Sequence, residues 1–298
     1  MSSLFFTTDD GDVILRAGHE PSPRVDFCVH KFILSLASPV FKDMFTFPQP
    51  PAENNKERPE IPIVDVPDSP QTLDMILRFI YPGAEFPRPT DISTVSALLF
   101  AADKYNITSI RPVLWDALGP FTNAEPFRVY IIACRFGFLE EAKAAARMLT
   151  PKTIVLPKDH EKDARHISGV DLYRLLWFSK TREDMVRSKI EAFTSPTTGV
   201  SNVCPDHRTE HRDFYTQLGR KLQEVFAKNP CAKFDDFNSA LGTLPDPPLG
   251  CPPGLQYFGR GVSCPLRPSF IRHRLTLLAV ELNDMSDTLV ESAFEKEF

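Results

Sequence analysis

Apolar positions along the first 120 residues change period several times. Asp12-Val-Ile-Leu-Arg-Ala17 and Val25-Asp-Phe-Cys-Val29 are short and rich in β-branched and aromatic residues, and the Gly18–Pro23 stretch between them predicts a hairpin with a longer loop. Leu34, Ser38, Phe41 and Phe45 then recur at steps of four, three and four, the spacing of a helix face. Pro39 interrupts that stretch, so two short helices are expected to meet at Ser38-Pro39. Thr46 to Glu60 is polar and proline-rich, a surface loop. Ile61-Pro-Ile-Val-Asp-Val66 predicts a third strand, and its Pro62 argues for a sheet edge. Ser69-Pro70 supplies a helix cap followed by proline at the first helical position. Leu73, Ile76, Leu77 and Ile80 form the apolar face of that helix, which Pro82-Gly83 ends. Further helices are expected from Asp91 or Ser93 onward, with Val95, Leu98, Leu99 and Ala102, and after a Thr108 cap, with Ile110, Val113, Leu114 and Leu118.

Strand signals then disappear. Phe127, Tyr130, Ile131 and Cys134 mark one helix, and Leu139, Ala142, Ala146 and Leu149 another across Gly137. A long helix runs through Leu172, Leu175, Leu176, Met185, Val186 and Ile190. Phe214, Leu218, Leu222 and Val225 mark the next, and Phe234, Phe237 and Leu241 a short one. Residues 242–269 hold seven Pro and five Gly, which excludes regular structure. The last helix carries Ile271, Leu275, Leu278, Leu282, Met285 and Leu289 at alternating steps of four and three. Arg272 and Arg274 at its start and Glu291, Glu295 and Glu297 at its end oppose the helix dipole, so it is expected to need tertiary contacts and to dock on its own domain rather than form a coiled coil.

Composition narrows the function classes. The 298 residues are 42% hydrophobic and 24% charged, the balance of a globular protein. The net charge of −5 provides no basic field for nucleic acid or anionic lipid. No apolar run approaches the roughly 18 residues of a membrane span. The first ten residues lack a basic flank and a long apolar core, so no secretory leader is expected, and the six cysteines are expected to be thiols inside the cell, in cytoplasm or nucleus. Cys28 and Cys134 sit among apolar residues and are expected to be buried fillers, and Trp115 and Trp177 are expected in the core.

Asp12-Val-Ile-Leu15, Phe27-Cys-Val-His-Lys31, Leu34, Ser38, Phe41 and Met44-Phe45 together resemble the opening of a BTB/POZ domain. Ile61 to Val66 resembles its third strand, Phe79-Ile-Tyr-Pro-Gly83 its next helix end, and Leu98-Leu-Phe-Ala-Ala-Asp-Lys-Tyr105 the helix after that. The resemblance implies an α+β fold, a small sheet flanked by helices, over residues 1–120. An all-α region would follow over 121–298. Its parts are a helical extension at 121–150 similar to that of fungal proteins of this kind, a linker at 151–169, helices to 241, the Pro/Gly-rich loop at 242–269 and a terminal helix at 270–296. It also implies a homodimer that recruits other proteins. Cullin-binding relatives carry a hydrophobic-x-Glu motif before the third strand. The equivalent Pro51-Ala-Glu53 has proline in place of the apolar residue, which weakens the adaptor reading and leaves Glu53 as a doubtful cullin contact.

The helix entered at Lys31 has apolar residues on two faces. Phe32 and Leu36 lie about 200° from Leu34 at 100° per residue. One face serves the core, and the other requires cover by the C-terminal region or by a second chain. Phe32, Leu36 and Val40 are therefore the expected contacts of a twofold dimer. Asp12 and Lys31 match positions that line a charged pocket beside the dimer contact in the family, and His30 is expected to make a structural hydrogen bond at the strand–helix junction.

Two constellations bear chemistry of another kind. His207-Arg-Thr-Glu-His211 is a literal H-x-x-E-H, the zinc-peptidase pattern in which His207 and His211 would bind metal and Glu210 act as base. It follows a polar loop and lacks a distinguishable third ligand. Cys204-Pro-Asp-His207 has the spacing of a zinc half-site that Cys231, Cys251 or Cys264 would complete. Cys251 and Cys264 stand thirteen apart and form no second close pair, so unliganded thiols are the reading taken. No phosphate loop, nucleophile elbow or dinucleotide fingerprint occurs. The expectation is a non-enzymatic interaction protein without a cofactor, whose partners are itself and another protein, with no direct nucleic-acid or membrane contact. A ubiquitin-ligase adaptor or transcriptional co-regulator is the alternative within that class, and a zinc peptidase the alternative outside it.

Overall fold

A computed structural model describes residues 6, 10–18, 23–47, 61–151, 153–154, 164–195, 208–243 and 268–294. The chain divides into two compact units, Met1–Phe121 and Thr122–Phe298.

The first unit is built on a three-stranded sheet in the order β2-β1-β3, from β1 (Val13–Ala17), β2 (Val25–Val29) and β3 (Ile63–Val66). β1 pairs antiparallel with β2, with Val13 opposite Val29, and parallel with β3, with Ile14 opposite Ile63. As the central strand, β1 buries both faces, and its one half-buried residue, Arg16, reaches across to its β2 partner Asp26 with two N–H···O bonds of 2.8 and 2.9 Å. Pro62 precedes the edge strand and contributes only its carbonyl, which accepts from Ile14 N–H at 3.0 Å. Gly11 lies so close to β2 that a Cβ there would stand 2.6 Å from Cys28 Sγ and 2.8 Å from the Val29 main chain.

α1 (Lys31–Ala37) and α2 (Pro39–Thr46) break at Ser38-Pro39 as the sequence predicts. Buried Ser38 makes the break possible. Its Oγ accepts from Phe41 N–H at 3.0 Å, capping α2, and donates to the Tyr105 carbonyl at 2.5 Å. α3 (Pro70–Ile80) and α4 (Ile92–Lys104) start on side-chain caps from Ser69 and Asp91. α5 (Arg111–Asp116) follows a single 3₁₀ turn at Thr108–Ile110. Thr108 lies inside that turn and does not cap it, because the chain leaves α4 through Asn106 at φ 51° and re-enters helix directly. Leu15, Leu34, Phe41, Leu73, Ile76, Leu98 and Leu114 fill the core.

The regular elements among the described residues of the second unit are all helices: α6 (Pro126–Phe136), α7 (Leu139–Met148), α8 (Gly169–Thr194), α9 (Arg208–Lys228), α10 (Phe234–Gly242) and α11 (Pro268–Phe294). Gly137 joins α6 to α7 at φ 73°, a left-handed turn that glycine adopts without a Cβ clash. Val186, Ile190, Leu218, Leu222, Phe237, Leu275, Leu278 and Leu282 form one core among α8 to α11. α9 begins at Arg208 and α11 at Pro268.

The terminal helix docks within its unit. Its dipole-opposing acid Glu291 pairs with Lys143 of α7 at 2.5 Å and with Arg147 at 3.6 Å. Asp287 also reaches Arg147, at 2.8 Å. At the other end Arg274 donates to the Phe193 carbonyl and stacks over that ring at 4.5 Å. Charges that would weaken an isolated helix thereby tie α11 to α7 and α8.

Three expectations need correction. Cys28 is half-buried rather than a core filler, because it sits on the sheet face beside Gly11. Trp115 is half-buried, and Trp177 is 42% exposed on α8 with Tyr173 and Val170 on the same side. No helix among the described residues is long and apolar enough to cross a membrane.

Candidate interaction surface

The junction between β2 and α1 is a single residue, His30, and the surroundings of that residue hold α1 in place. The His30 main-chain N–H donates to the Tyr81 hydroxyl at 2.7 Å, and its ring Nδ1 stands 3.2 Å from the same oxygen. His30 therefore has the structural hydrogen bond expected of it. Nε2 faces Asp10 at 3.7 Å. Phe6 packs edge-on against the Tyr81 ring with centroids 5.1 Å apart, and burial pushes the Tyr81 phenol up to about 12.

Asp12, one residue before β1, points at the start of α1. Its Oδ1 accepts the main-chain N–H of Lys31 at 2.7 Å, while its own N–H donates to the Val29 carbonyl at 3.0 Å. The first N–H groups of a helix have no intrahelical acceptor, so a carboxylate from the neighbouring strand satisfies one of them and meets the positive end of the helix dipole. Asp12 and Lys31, the two residues expected to line a charged pocket, meet through the Lys31 main-chain N–H.

With both ends of the junction fixed, the faces of α1 are set. Leu34 is fully buried, whereas Phe32 and Leu36 are 72% and 73% exposed. Four residues apart, they form one ridge on the helix surface. Val40, the second residue of α2, is half-buried. The ridge is apolar, rigidly presented and flanked by the exposed carboxylate of Asp12. It can do no covalent chemistry; it can exclude water against a complementary apolar surface.

The remaining sequence-derived candidates fall elsewhere. Glu53, Cys204, His207, Cys251 and Cys264 lie outside the described residues. Glu210 and His211 lie in the first turn of α9. Cys231 is a half-buried free thiol whose Sγ donates to the Arg147 carbonyl at 3.5 Å. Among the described residues no cluster of His, Cys, Asp and Glu has the arrangement of a metal site. Sequence reasoning missed the capping role of Asp12. The available signal was an acid immediately before the first strand of a hairpin whose second strand runs into a helix.

Residues 3–118 match the BTB/POZ domain family. Mouse TD and POZ domain-containing protein 1 is 36% identical over 105 residues, which is 35% of this chain and 25% of that protein. Mouse TD and POZ domain-containing protein 4 is 35% identical over 106 residues, with the same shares. The chain thus spans about a quarter of the length of the curated relatives it matches.

Proposed function

We propose that this chain, whose residues 3–118 form a BTB/POZ domain, is a non-enzymatic interaction protein that pairs with a second copy of itself and recruits another protein. A BTB/POZ domain is a protein–protein interaction module, and self-pairing is the finer reading. The observation that carries it is the Phe32–Leu36 ridge on a helix whose opposite face is already committed to the core.

A ridge of this kind suits a twofold contact, in which the same patch serves both partners. Burying each large apolar side chain contributes about 1.5–3 kcal/mol. A stable interface covers about 800 Å² per partner, so the two side chains would form its centre and Val40 and the Asp12 rim its periphery. In this reading Asp12 and Lys31 orient the pair, and the protein works inside the cell, where Cys28, Cys134 and Cys231 remain thiols.

Light scattering on the full chain across a dilution series tests the proposal. The expected mass is twice 33.6 kDa at high concentration, falling toward one chain on dilution. A mass of one chain at every concentration overturns self-pairing and leaves recruitment to be judged by partner capture with the Phe32 ridge intact and altered.

A further inference from the structure

Arg182, in the middle of α8, is a buried cation with no carboxylate beside it. It is 1% exposed. Its Nη1 donates to the Arg147 carbonyl at 2.6 Å and its Nη2 to the Leu149 carbonyl, at the C-terminal end of α7. Its guanidinium carbon stands 4.8 Å from the Phe178 ring centroid and 5.8 Å from that of Phe226. Carbonyls and ring faces soften the loss of water but leave the charge unneutralised. The adjacent Glu183 pairs with Lys180 and Arg187 instead. Burial pulls the guanidinium down to about 10, the direction expected of a cation in want of a counter-charge.

One helical turn away, Ser179 is also 1% exposed, and its Oγ has no hydrogen-bond partner. An unpaired buried hydroxyl is rare because it forfeits the bonds it made to water. Both residues line the same cavity of about 170 Å³, whose walls include Val186, Phe226 and Thr150 and whose rim on α9 carries Gln223 and Ala227.

We propose that this cavity binds a small monocarboxylate with a single apolar ring or a branched body of similar size. A guanidinium has five N–H groups, of which two are engaged, so donors remain for a carboxylate, and the Ser179 hydroxyl supplies another. Val186 and Phe226 provide the apolar seat. The volume is close to the roughly 150 Å³ that accommodates benzene in a protein interior. The charge selects a monoanion: Glu183 and Arg187, which also line the cavity, pair with each other, so Arg182 is the one unpaired charge among the lining residues, which a dianion would exceed and a neutral ligand would leave unanswered.

Calorimetric titration of the full chain with sodium benzoate tests this, with benzyl alcohol as the uncharged comparison. Benzoate is expected to bind saturably at one site per chain with a dissociation constant of about 1 mM or below. Benzyl alcohol should bind at least about tenfold more weakly. Ala227→Phe, on the exposed rim, should abolish binding without changing the melting temperature. Ser179→Ala should weaken binding about fivefold while raising the melting temperature, since it removes a donor from the ligand and an unpaired hydroxyl from the fold. A purely structural Ser179 would leave affinity unchanged. Absence of saturable benzoate binding up to about 10 mM in the folded chain, or equal affinity in wild type and both variants, overturns the proposal.

Discussion

Asp12 caps the helix that begins at Lys31: a carboxylate on one side of the sheet accepts the first main-chain N–H of α1 at 2.7 Å. Phe32 and Leu36 are presented outward by a helix whose entry is held from both ends, by Asp12 at Lys31 and by Tyr81 at His30.

Because the contact is to the backbone, the two partners should respond differently to substitution. Asp12→Ala is expected to destabilise the fold by about 0.5–2 kcal/mol, the range for a lost helix cap. Lys31→Ala keeps the N–H and should change stability by less than about 0.5 kcal/mol. Urea unfolding of both variants checks this; equal losses would mean that the ammonium matters after all.

Phe32→Asp and Leu36→Asp place charge on an exposed ridge, so the fold should tolerate them and the dimer should not. The melting temperature of the dilute chain is expected to stay within about 2 °C of wild type. Association should weaken by roughly 100- to 10,000-fold per substitution, since each change occurs in both chains of a twofold pair and each copy forfeits about 1.5–3 kcal/mol of apolar burial. Sedimentation equilibrium reads the second effect and calorimetry the first.

Ser38→Ala removes two bonds at one buried point, the cap on Phe41 N–H and the donation to the Tyr105 carbonyl. Both partners are left in a region with little water. A loss of about 2–3 kcal/mol is expected in denaturant unfolding, more than for a solvent-exposed cap.

Alkaline conditions should unfold the chain through its buried acids. Burial raises Cys134 from 9.0 to about 12 and Tyr81 from 10.0 to about 12, so each binds its proton more tightly folded than unfolded. The stability they contribute is complete below the unfolded values and falls as pH rises from about 9 toward 12. Cys134→Ala should make that fall shallower above about pH 9 without moving its onset, because burial also raises the Cys28 and Cys231 thiols. Melting temperatures measured against pH provide the check.

Much of this architecture is legible in the chain because single residues carry unambiguous physical instructions. Ser38-Pro39 could only end one helix and start another, and Pro62 could only precede an edge. The charges of α11 run against its dipole and so demand partners from elsewhere. The two-faced pattern of α1 likewise implies an outward Phe32 and Leu36. Other features depend on what arrives from distant sequence. Trp177 and Tyr173 have the spacing of core residues, and periodicity alone does not say which helix face finds a neighbour. Arg182 has the composition of a surface residue. It is buried because the carbonyl end of α7 comes to meet it, a fact no local pattern encodes. Asp12 gains its role from the register of β1, which sets where a residue one step before the strand must point.

The pairing of β1 has a consequence for how the protein is made. Its bonds to β2 close a short hairpin, which forms in about 1–10 μs. Its bonds to β3 join Ile14 to Ile63 across roughly fifty residues, and the entropy of closing that loop is lost before any contact rewards it. On the ribosome, one side of the middle strand stays bare until both short helices and β3 have emerged. During synthesis that edge is the segment most in need of a chaperone.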